Sequence, residues 1–112
     1  MSTINLPLKE KQVIFKFKEA LENSLGENLV SLQLFGSKAR GDFRKDSDID
    51  ILLVIIEKNQ QAEELIYNIV VDLMLKTGFY LSVKIFDLKE FEKLNKIPTV
   101  FMQKVAREAK KI

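Results

Sequence analysis

Ile51, Leu52, Leu53, Val54, Ile55 and Ile56 form an unbroken apolar run of branched side chains, entered directly from Asp48-Ile49-Asp50. A strand with one wet face alternates apolar and polar residues. A run with no polar residue fits a strand covered on both faces and central in its sheet. In a chain of 112 residues, the expected solution is one domain, residues 1–112, in which a small sheet is covered by helices.

The flanking segments agree with that frame. Pro7 suits a first helical turn, and residues 8–25 place Val13, Ile14, Phe17, Leu21 and Leu25 at a 3.6-residue period that stops at Gly26. Residues 29–35 set Val30, Leu32 and Leu34 against Ser31 and Gln33, a strand pattern. Residues 37–40 read as a short helical turn before Gly41 and a polar loop. Residues 60–77 read as a helix with Leu65, Ile66, Ile69, Val70, Leu73 and Met74 on one side, ended at Gly78. A third strand is expected over 80–86 with Leu81, Val83 and Ile85 inward, then a short helix over 88–94. Pro98 opens a last helix to about residue 110, with Phe101, Val105, Ala109 and Ile112 on one stripe and Lys104, Arg107, Lys110 and Lys111 elsewhere. The fold class is α/β (α+β), a small mixed sheet flanked by helices.

Composition then removes chemistries. The chain has no Cys and no His. Thiolate nucleophiles, disulfides, imidazole-bound zinc and Ser-His-Asp triads are all excluded. What remains is carboxylates, lysines, hydroxyls or a borrowed metal ion. No apolar run is long enough to span a bilayer, and no basic segment leads into an apolar one at the N-terminus. A cytoplasmic protein is expected, with no membrane partner. A net charge of +2 does not argue for nucleic acid.

Two short motifs carry the remaining signal. Gly36 follows the first strand where the backbone must turn tightly and approach a ligand closely. Ser37 is placed to cap the next turn, and its hydroxyl and the nearby N–H groups suit phosphate oxygens. A cap without a ligand is the plainer alternative. Asp48 and Asp50, one residue apart in extended backbone, point to the same side. Two bare carboxylates about 7 Å apart repel by roughly 2 kcal/mol at an effective dielectric near 20, which a cation offsets. Hard oxygen ligands of this kind suit Mg²⁺, completed by triphosphate oxygens.

Gly36-Ser37-Lys38-Ala39-Arg40-Gly41 followed by Ser47-Asp48-Ile49-Asp50-Ile51-Leu52-Leu53-Val54 resembles the signature of the polymerase-β-type nucleotidyltransferase superfamily, and within it the minimal nucleotidyltransferase (MNT) group. The resemblance implies a mixed sheet, ATP or another nucleoside triphosphate as substrate, and Mg²⁺ (or Mn²⁺). It implies that Gly36 and Ser37 hold phosphates, with Lys38 and Arg40 beside them, and that Asp48 and Asp50 are the catalytic metal ligands. It further implies a HEPN-domain toxin, encoded nearby, as the partner that receives AMP on a hydroxyl. Masking of that toxin by stoichiometric contact is the alternative, and a homo-oligomer is left open.

Enzymes of the superfamily generally carry a third carboxylate on a neighbouring strand. Alternation puts Ser82 and Lys84 on the face toward Asp50, and neither is an acid. Asp87, just past that strand, and Asp72, on the preceding helix, are the remaining acids to consider. Lys84 could pair with Asp50, contact phosphate or reach into solvent. Arg40 could clamp phosphate or hold the loop through Asp42 or Asp46, while Arg44 and Lys45 read as solvated loop charges. The apolar stripe of the last helix is either core or a partner face.

Overall fold

A computed structural model describes residues 6–41 and 47–112. Helix α1 (Leu8–Leu25) is followed by a 3-10 turn and strand β1 (Leu29–Phe35). The short helix α2 (Gly36–Arg40) leads toward β2 (Ile49–Ile55). Helix α3 (Gln60–Thr77), β3 (Leu81–Asp87), α4 (Leu88–Asn95), α5 (Val100–Glu108) and a two-residue β4 (Lys110–Lys111) complete the order. Among the described residues the strands form one sheet in the order β3-β2-β1-β4. It is mixed: β2 runs antiparallel to β1 and parallel to β3, with α3 as the crossover.

The apolar run is the buried centre that its composition required. Ile49, Leu53 and Ile55 of β2 are wholly buried, and Ile51, Leu52 and Val54 nearly so. Ile56 falls outside the strand and is exposed. One face of the sheet packs Leu32, Leu34, Ile51, Leu53, Leu81 and Ile85 against Val13, Ile14, Phe17 and Leu21 of α1 and Ile66, Val70 and Leu73 of α3. Each such side chain, fully buried, contributes about 1.5–3 kcal/mol. On the opposite face Leu52 and Val54 are covered in the region where Phe86 meets Phe91 of α4 and Phe35 meets Phe101 of α5.

Local signals set the helix boundaries. The Asn59 side chain accepts from the Ala62 N–H at 2.8 Å and starts α3, which Gly78 ends in the left-handed region. Asp87 and Glu90 form a reciprocal capping box at α4, and Thr99 accepts from the Met102 N–H to start α5.

Three expectations need correction. Val30 does not share the inward face of Leu32 and Leu34: the register slips between Leu29 and Ser31, so a bulge absorbs Val30 and turns it outward. The last helix stops at Glu108, because Ala109 turns extended and Lys110–Lys111 pair with Leu34 and Gln33. Its buried residues are Met102 and Val105, while Ile112 packs on the main core from beyond β4, not from a helical stripe.

Candidate functional site

The turn from β1 into α2 and the entrance to β2 meet on the half-covered face. Phe35 lies directly opposite Asp50, and Asp50 directly opposite Ser82, so these three side chains form one row across the sheet. Gly36 has φ +73, and a Cβ there would sit 2.5 Å from Oδ2 of Asp50. Only glycine allows the backbone this close to the carboxylate. Asp48 stands just ahead of β2, exposed, while the next N–H, of Ile49, is fixed by donating to the Tyr80 carbonyl at 2.9 Å.

The electrostatics follow from this crowding. Burial pushes the Asp50 carboxyl above its ordinary 3.8, and the charge of Asp48 pushes it the same way. A hydrogen bond from the Ser82 hydroxyl and the positive charges of Lys84 and Arg40 pull it back, without cancelling the rise. The ionised Asp50 carboxylate is therefore under-compensated by the protein. Carboxylate, carboxylate and hydroxyl oxygens beside an open backbone turn fit a hard divalent cation such as Mg²⁺. Among the described residues no cluster of three or more acidic, His or Cys side chains exists.

The remaining candidate residues separate. Ser37 sits in the first turn of α2 but does not cap it through its side chain; Phe35, the residue before the helix begins at Gly36, occupies the cap position. Lys38 points inward, wholly buried, and pairs with the buried Glu10 of α1. This pairing joins α2 to α1 at their junction. Arg40 is partly exposed and pairs with Glu108 of α5 at 3.2 Å, tying α2 to α5. Asp87 faces Ile55 at the far end of β3 and caps α4, about five residues along the strand from the Asp50–Ser82 row. Asp72 pairs with Lys76 on the surface of α3. Asp42, Arg44, Lys45 and Asp46 lie outside the described residues.

Two features escaped the sequence reading. Glu10 precedes Val13, Ile14 and Phe17 at the spacings that share one helix face, so a charge in that apolar stripe was the available signal. Phe101 stacks on Phe35 at 5.5 Å and carries Lys84 Nζ 4.8 Å above its ring, a tertiary contact with no local signature.

A family model described as a nucleotidyltransferase domain matches residues 14–105, which include Gly36, Asp48, Asp50 and Ser82. The chain belongs to the nucleotidyltransferase domain family. A Methanocaldococcus jannaschii protein, named provisionally as a protein adenylyltransferase, is 32% identical to this nucleotidyltransferase over 105 residues, 92% of this chain and 97% of that protein. Among solved structures, the spectinomycin adenyltransferase AAD(9) of Enterococcus faecialis, with ATP and spectinomycin, superposes with a TM-score of 0.70 at 20% identity. That match covers 91% of this chain and 55% of AAD(9). A mutant form of the toxin–antitoxin MntA–HpeT superposes at 0.57 with 21% identity, covering 96% of this chain and 72% of the other. At these identities the likeness is one of fold. The mixed α/β fold and the nucleotidyltransferase resemblance read from residues 36–54 both hold. No helix among the described residues is long and apolar enough to cross a membrane.

Proposed function

We propose that this nucleotidyltransferase domain binds a nucleoside triphosphate, ATP foremost, between the Gly36–Ser37 turn and the Asp48/Asp50 pair, and transfers the nucleoside monophosphate to a hydroxyl of a partner protein. The observation that carries the proposal is the approach of Gly36 to Asp50, where a Cβ would fill the space beside Oδ2. Asp48 and Asp50 would hold one Mg²⁺, which when bound neutralises phosphate charge and the mutual repulsion of the two acids. Gly36 and Ser37 orient the phosphates through backbone N–H groups and the hydroxyl. In the transfer the acceptor oxygen bonds to the α-phosphorus, the bond from that phosphorus to the β-bridging oxygen breaks, and pyrophosphate departs with the electron pair. The hydroxyl proton goes to water. Phosphoryl chemistry of this kind rests on positioning and charge compensation rather than covalent catalysis.

The acceptor proposed is a HEPN-domain toxin encoded beside this chain, with this domain as its antitoxin. The name of the M. jannaschii relative and the toxin–antitoxin among the fold neighbours support that choice. The test incubates both proteins with α-labelled ATP and Mg²⁺. Covalent label on the proposed toxin partner is expected. Tight complex formation with no label would replace transfer by masking.

A further inference from the structure

We propose that Lys84 is a triphosphate-binding residue, the built-in cation of a site that works with a single divalent ion. The proposal deepens the reading above and rests on it. Three observations carry it. First, the position opposite Asp50 on β3 holds Ser82, a neutral side chain that adds no charge. Ser82 thus offers no charged seat for a second divalent ion at this position of β3.

Second, Lys84 follows Ser82 by two residues, so it projects from the same face toward the same opening. It lies close enough that its charge acts on the Asp50 carboxyl. Two carboxylates and a triphosphate carry more negative charge than one divalent ion neutralises, and an ammonium at this place reduces the excess.

Third, the ammonium is held. Its Nζ rests 4.8 Å above the Phe101 ring, Phe101 leans on Phe35, and Phe35 immediately precedes Gly36. A lysine that merely reached into solvent would need no ring beneath its charged end. The Phe35–Phe101 pair thus keeps the ammonium at the rim of the phosphate turn, loosely enough for it to leave the ring for phosphate oxygens, a stronger, charge-assisted partner.

The test is calorimetric titration of ATP into the wild type, Lys84→Met, Lys84→Arg and Lys84→Asp, at Mg²⁺ concentrations above those that saturate ATP itself. Lys84→Met, which keeps the stem on Phe101, is expected to bind about tenfold more weakly, the loss of one hydrogen bond to a charged group. Lys84→Arg should recover most of that loss. Wild-type affinity should not change with further Mg²⁺, whereas Lys84→Asp should tighten as Mg²⁺ rises, having gained a seat for a second ion. Wild-type ATP binding with Lys84→Met within about twofold of it overturns the proposal and leaves the site reading standing. No ATP binding by the wild type at any Mg²⁺ concentration overturns both.

Discussion

The two faces of the sheet differ in how completely they are covered. Under α1 and α3, β1, β2 and β3 present Leu34, Leu53 and Ile85 to a continuous apolar layer, and every position selects for size and shape. Under α4 and α5 the cover is partial. Leu52 and Val54 are buried, but Asp50 and Ser82 are half-open and Lys84 is exposed. The same strands therefore hold the fold together on one side and hold two mutually repelling acids on the other. The closed face supplies the stability against which the open face can keep an unfavourable charge arrangement.

The largest expected effect breaks the junction between the two regions. Glu10 and Lys38 form a buried ion pair that seats α2 on α1. Lys38→Met strands the Glu10 charge and should lower the unfolding free energy by about 3–5 kcal/mol, read from urea unfolding. Adding Glu10→Leu to that variant should recover most of the loss. If the single and double variants are equally destabilised, the charge pair is not what seats the helix.

Gly36→Ala comes next and separates stability from binding. Left-handed backbone with a Cβ costs roughly 1–2 kcal/mol, and this Cβ also presses on the Asp50 carboxylate. Chemical denaturation should show that moderate loss while nucleotide binding disappears. Retained ATP affinity would show that the turn does not approach the phosphates.

A smaller effect, of opposite sign, belongs to Asp50 itself. Its carboxyl is raised by burial and by Asp48, so the folded state holds the proton more tightly than the unfolded state. Stability therefore falls as pH rises from the ordinary 3.8 through the raised folded value, and the deficit persists above it. Asp50→Asn should melt slightly higher than wild type at neutral pH without Mg²⁺, and the gap should close below about pH 3.8. A melting temperature lowered by the change would mean that the ionised carboxylate is already compensated within the protein.

Legibility followed the same division. The closed face was readable because burial imposes a period: α3 spans Gln60–Thr77 as its apolar spacing, Asn59 and Gly78 indicate, and β2 announces itself by lacking polar residues. The row Asp50–Ser82 was also readable, since alternation alone puts Ser82 on the side of Asp50. What stayed hidden was set by pairing between distant segments. A two-residue strand such as Lys110–Lys111 has no period to detect, and its position depends on the free edge of β1. The inward turn of Lys38 depends on Glu10, 28 residues earlier, and the seat of Lys84 depends on Phe101 of α5. The bulge at Val30 breaks an alternation that the residue types themselves continue.

Under the proposed function, Asp48 and Asp50 tolerate each other because a magnesium–nucleotide complex offsets their charge beside Gly36. Calorimetric titration of ATP with and without Mg²⁺ into the wild type and the Asp48→Asn, Asp50→Asn double variant tests it directly. Mg²⁺-dependent binding by the wild type and none by the double variant is expected, with the variant still folded and melting no lower. Equal ATP affinity in the two proteins would contradict it.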